Sequence, residues 1–188
     1  MKKIYKRLEK LLERLRDKSF RENKGLGNEI GFHIFDYDPE DEIIVRDRIN
    51  YIKDQFKTES CNIQVFDLYD ILIELITLED DIEDFFDVEE EDGKEELFNT
   101  IKDFISEGDA IVDYIEEQYD GESIVFLIGL GKAWPILRSH TVLNKLHSVI
   151  TKSPLVMFYP GTYDGQDLIL FNEFKDNHYY RAFRLVER

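Results

Sequence analysis

The forty residues from Glu122 to Gly161, ESIVFLIGLGKAWPILRSHTVLNKLHSVITKSPLVMFYPG, constrain the chain more than any other stretch. An apolar run, Ser123–Gly129, ends in a glycine-rich turn. An amphipathic helix over 141–150 follows, then a second apolar run over Pro154–Tyr159, closed by Pro160-Gly161. Short apolar runs joined by a helix are parallel strands, because a parallel pair needs a crossover and each strand is buried on both faces. Full apolarity places Ser123–Gly129 inside the sheet. The rest of the chain has to supply its neighbours and its covering helices.

Both sides of that unit repeat the pattern. Ile30–Tyr37 (IGFHIFDY) reads as the first strand and runs into Asp38-Pro39-Glu40-Asp41, a helix start. The helix spans 40–57, with Ile43, Ile44, Ile49, Ile52 and Phe56 on its apolar side. Asn62–Leu68 is a second strand leading into the apolar helix YDILIELI, and 95–119 is helical with a break near Gly108. Leu168–Phe171 and Tyr179–Val186 read as a final antiparallel pair. The fold class is therefore α/β: a single domain over 1–188, with a mainly parallel central sheet flanked by helices, a C-terminal antiparallel strand pair and an N-terminal amphipathic helix.

Charge is distributed unevenly. Residues 1–24 hold ten Lys or Arg against four acids, while Ile4, Leu8, Leu11, Leu12 and Leu15 form one apolar stripe over a helix of residues 3–18. Such a helix either packs on the domain or docks on a partner, a membrane surface or nucleic acid. Aromatic residues are not interleaved with its bases, so it lacks a base-stacking signature. Residues 79–96, EDDIEDFFDVEEEDGKEE, are the acidic extreme and read as a solvated acidic loop or a partner-facing tail. Gly93 follows the acids, where a calcium loop needs a central glycine. The net charge of -17 opposes nucleic-acid binding unless a local basic patch overrides it.

Candidate chemistry is sparse. Asp36 and Asp38 fall at a sheet's C-terminal edge, where α/β proteins place their sites, or they merely cap the next helix. His33 reads as a core histidine. Gly129-Leu130-Gly131-Lys132 resembles a fragment of a phosphate loop, but the spacing is too short and Ala133-Trp134 follow the lysine. Arg138 and His140 flank a helix start that Ser139 or Thr141 would cap. Together Gly129, Gly131, Lys132, Arg138 and His140 are candidates for an anion site; a salt-bridged turn is the alternative. GLGNEIG (25–31) precedes a strand and opens no helix, unlike a dinucleotide fingerprint. Cys61 is the only cysteine, so no internal disulfide forms. The four histidines are scattered, and no metal or catalytic motif is complete. The expectation is no catalytic residue, no cofactor and no metal. No apolar run is long enough for a membrane helix or a signal peptide, which predicts a cytoplasmic protein.

The segment VFLIGLGKAWPILRSHTVLNKLHSVITKSPLVMFYPGTYDGQDLILF, followed by NHYYRAFRL, resembles the BrxB family. RSHT, PLVMFYPG, YDGQ and YYRAFRL occur in order, and GFHIFDYDPED and VFDLYDIL extend the resemblance over nearly the whole chain. The resemblance implies a component of a BREX bacteriophage-exclusion system. It implies other BREX proteins as partners: the alkaline-phosphatase-like PglZ-type protein, and the methyltransferase or the ATPase. It supplies no catalytic residue. The leading expectation is a non-enzymatic adaptor. One alternative is a nucleic-acid-binding module using the basic N-terminal helix with Arg138, Arg181 and Arg184. Another is a degenerate nucleotide-binding domain built on the anion-site residues.

Overall fold

The computed structural model describes residues 2–22, 31–57, 59, 61–78, 82–105, 108–176 and 182–188. Five parallel strands form the central sheet in the order β2-β3-β4-β1-β7. These are β1 (Phe32–Tyr37), β2 (Ile63–Asp67), β3 (Ile124–Ile128), β4 (Leu155–Tyr163) and β7 (Phe183–Arg184). β3 and β4 lie inside the sheet, as their apolar sequences require. β1 pairs with β4 from Phe32↔Leu155 to Tyr37↔Pro160.

Strand alternation divides the interior into two cores. Phe35, Phe126, Val156 and Phe158 face α1 (Lys3–Arg16), α2 (Lys18–Arg21) and α3 (Glu42–Lys57). Ile34, Val125, Leu127, Leu155 and Met157 face the other side. There they pack beneath α4 (Leu68–Leu78), α7 (Asp109–Gln118), α8 (Leu130–Ala133) and α9 (Ser139–Leu146). This is the α/β architecture that the sequence predicts.

The structure corrects several boundaries. The N-terminal helix breaks at Asp17, whose side chain accepts a hydrogen bond from the Ser19 amide and starts α2. Residues 39–41 form a 3-10 turn before α3, and Ile43 points to solvent at 72% exposure while Val45 takes its place inside. A shift of two positions moves a side chain to the opposite face of a helix. The acidic segment is not a loop. Its described part forms α5 (Ile82–Asp92), followed by α6 (Lys94–Phe104). Phe85 packs edge-on against Phe104 with ring centroids 5.8 Å apart, which supplies the tertiary contact that offsets the like charges.

The C-terminal strands differ most from expectation. β4 does not stop at Pro160-Gly161. It continues and pairs antiparallel with β5 (Leu168–Leu170), which pairs with β6 (Phe174–Asp176). Gly161 allows the crossing, because a Cβ there would stand 2.1 Å from the Ile169 carbonyl oxygen. β7 joins β1 in parallel instead of forming a hairpin with β5. The glycine loop GLGNEIG, except Gly31, and residues 177–181, including Arg181, lie outside the described residues.

Candidate functional site

Strand ends converge at the C-terminal edge of the sheet. The chain leaves β1 toward α3 on one face and leaves β3 toward α8 on the other. Divergence of this kind opens a crevice in α/β sheets. Here it encloses about 190 Å³ between Tyr37, Glu42 and Arg46 on one wall and Gly129, Gly131 and Lys132 on the other.

The charges in this crevice are paired. Asp67, the last residue of β2, accepts hydrogen bonds through Oδ1 from the Tyr69 and Asp70 amides at 3.0 and 3.3 Å, capping α4. Its Oδ2 accepts from Lys132 Nζ at 2.7 Å, and Asp70 accepts from the same ammonium at 3.3 Å. Burial works against the charge on Lys132, but the hydrogen bonds and charges of Asp67 and Asp70 hold its pKa above the usual lysine value. Gly129 permits this approach: it sits at φ +81°, and a Cβ would lie 1.9 Å from Asp67 Oδ1. Across the crevice, Glu42 accepts from Tyr37 Oη at 2.5 Å and from Arg46 at 3.1 Å. Burial, and then the Glu42 charge, push the Tyr37 phenol well above its ordinary range.

The five anion-site candidates do not share one pocket. Gly129, Gly131 and Lys132 line the crevice, whereas Arg138 lines a second cleft of about 310 Å³ with Trp134, Tyr159 and Phe174. Neither Ser139 nor Thr141 caps α9. Arg138 is the N-cap residue without a side-chain cap bond, and Ser139 is buried as the first helical residue. His140 is half-buried in that first turn.

Asp36 has a different role from either expected one. It is fully buried and pairs with Arg7 of α1 at 2.9 Å. Arg7 also donates to the Asp36, Val186 and Glu187 carbonyl oxygens, at 2.5, 3.0 and 3.1 Å, and the Tyr163 amide donates to Asp36 Oδ2 at 3.2 Å. The pair thereby ties α1, β1, β4 and the C-terminus together. Arg188 bonds Asp38 and donates to Thr162 at 2.7 Å, so Asp38 anchors the C-terminus as well. Arg7 was the signal to read: it interrupts the stripe of Ile4, Leu8 and Leu11 on the inward face.

The other singled-out residues fall apart spatially. Arg184 lies 3.4 Å from Glu187 and 3.9 Å from Asp36 on the edge strand β7, whereas Arg138 lines the second cleft. Lys3, Lys6 and Lys10 form an exposed row on α1, and no described acid pairs with them. His33 lies 4.9 Å from the Phe20 ring, and burial, then the Arg14 charge, lower its pKa to about 4. Burial raises the Cys61 thiol above its ordinary value. Among the described residues, no group of three His, Cys, Asp or Glu is placed to hold a metal ion. No helix among them is long and apolar enough to cross a membrane.

Comparison with known proteins adds an independent line. Residues 64–185 match the family model described as "BREX protein BrxB". Over their full lengths, the chain is 46% identical to a BREX protein BrxB of Bacillus cereus (strain H3081.97). It is 34% identical to a BREX protein BrxB of Escherichia coli O9:H4 (strain HS), over 96% of this chain and 90% of the relative. No solved structure matches significantly.

Proposed function

The chain belongs to the BrxB family of BREX proteins, a family of phage-defence components, and from that premise we propose that it works as a non-enzymatic adaptor. It binds partner defence proteins, foremost the PglZ-type protein, and presents them to the methyltransferase or the ATPase. The α5–α6 hairpin carries the reading. Neither helix buries a residue fully, yet the hairpin is helical and exposes Ile82 and Phe86 among Glu83, Asp84, Asp87 and Glu90. A helical, charged arm with an aromatic at its surface fits protein recognition better than solubility alone. The pairing of Lys132 with Asp67 and of Arg7 with Asp36 also supports a binding role, since those charges serve the fold.

The test is co-purification from cells expressing the neighbouring defence genes, with nuclease treatment and at two salt concentrations. The expected result is a stoichiometric protein partner that resists nuclease. A charge-reversed hairpin, with Asp87→Lys, Glu90→Lys and Glu91→Lys together, should lose that partner while melting unchanged. Recovery of the chain alone from co-expression would end the adaptor reading. The exposed Lys3, Lys6 and Lys10 row favours a nucleic-acid-binding second reading, for which affinity should fall steeply with salt.

A further inference from the structure

The larger cleft, of about 310 Å³, is one that the adaptor reading leaves unused. Its floor is Leu130, Leu170 and Tyr159, all buried. Its aromatic wall is Trp134 against Phe174, with ring centroids 4.4 Å apart and planes 33° from parallel. Phe174 remains 40% exposed at the cleft, which leaves a ring face for a further planar group. Arg138 stands at the rim, and no described acid pairs with it. Lys175 lies nearby, partly neutralised by Asp167 at 2.8 Å. Glu173 supplies an acceptor in the same cleft.

The turn that delivers these groups is strained. Between β5 and β6 the chain passes through Phe171 at φ 54° and Asn172 at φ 60°. A bulky residue in the left-handed region is uncommon and persists only where surrounding structure enforces it. Here Thr162 donates to Asn172 at 2.6 Å, and Trp134 meets Phe171 edge-on at 6.5 Å. The result sets Glu173, Phe174 and Lys175 against Trp134 and Arg138.

We propose that this cleft binds a nucleoside monophosphate. The base stacks on the Trp134–Phe174 wall, Arg138 and Lys175 hold the phosphate, and Glu173 accepts hydrogen bonds from ribose hydroxyls or base N–H groups. Three requirements select the class. An apolar aromatic wall wants a planar ring, a guanidinium that no described acid pairs with wants an anion, and one carboxylate beside them wants a donor. A volume of about 310 Å³ is at the small end of ligand clefts, which suits one nucleotide. The site differs from the Gly129–Lys132 crevice, where the lysine is held by two aspartates.

Trp134 is the only tryptophan in the chain, so the site carries its own reporter. The full-length protein would be titrated with AMP, GMP, CMP and UMP while following tryptophan emission, with calorimetry as a second readout. At least one monophosphate should change the emission saturably. Its nucleoside, ribose 5-phosphate and inorganic phosphate should each bind at least about tenfold more weakly, the loss of one good contact. Arg138→Gln should weaken the monophosphate about tenfold and leave the nucleoside unchanged, and Phe174→Ala should weaken both. Lys132→Ala should change neither, and thermal melts would confirm that each variant is folded. No saturable binding by any of the four up to millimolar concentration would overturn the proposal. So would a nucleoside that binds as tightly as its monophosphate, or affinity unchanged in both cleft variants.

Discussion

Helix α1 and the α5–α6 hairpin are both dense in charge, yet they relate to the domain in opposite ways. Helix α1 buries Ile4, Leu8, Leu11 and Leu15 and also sinks Arg7 onto Asp36. The hairpin fully buries no residue; Phe85, Ile101 and Phe104 only lean on the core. The difference lies in the apolar pattern beneath the charge. Leucines at helical spacing give α1 a continuous seam for burial, at roughly 1.5–3 kcal/mol for each side chain removed from water. The hairpin's apolar residues divide between the core side and the surface. Charge density alone therefore does not distinguish an anchored helix from a presented one.

The largest expected effect comes from breaking the anchor. Arg7→Met leaves Asp36 buried without its hydrogen-bonded cation, with only Arg184 and Arg188 at 3.9 Å, and should cost up to about 3–5 kcal/mol of stability in urea unfolding. Adding Asp36→Asn should recover part of that loss, because the Tyr163 amide still has an acceptor. A cost below about 1 kcal/mol would show that the leucine seam holds α1 without the pair.

A smaller effect, visible only in acid, tests the interior beside α1. His33 has a pKa of about 4 in the folded chain against 6.5 when free. Between those values the unfolded chain binds more protons, so stability rises with pH across this window and falls as pH drops from about 6.5 to about 4. The loss should be on the order of 2–3 kcal/mol between neutral pH and pH 4, from 1.36 kcal/mol per pKa unit discounted for partial exposure. His33→Gln should flatten that limb by the same amount, and an unchanged limb would place the acid sensitivity elsewhere.

The smallest expected effect is on the hairpin. Phe86→Ser should alter stability by no more than about 0.5 kcal/mol, because the ring is already 58% exposed. It should nonetheless weaken partner capture. A large stability loss would mean that the hairpin is as anchored as α1, and the contrast between them would collapse.

Both clefts show why sites were harder to read than strands. Gly129, Gly131 and Lys132 stand out as a phosphate-loop fragment, but the residue that engages Lys132 is Asp67, 65 positions earlier. Arg138 was visible beside a helix start, whereas Phe174 and Lys175 reach it only because the strand through Pro160 and Gly161 continues into a second sheet. A Pro-Gly pair normally signals a stop. Here the proline falls where β1 ends, and the glycine admits the Ile169 carbonyl.

The sequence by itself determined the α/β class, the mainly parallel sheet and the burial of its inner strands, because these follow from the spacing of apolar residues along the chain. It also determined the apolar seam of α1 and, through ordered motifs, the BrxB family. Only the tertiary structure decided strand order, the burial of Arg7 on Asp36, the helical form of the acidic segment and the division of the anion candidates between two clefts. Those depend on contacts between residues far apart in the chain, and local pattern encodes which face is apolar but not which distant group will meet it.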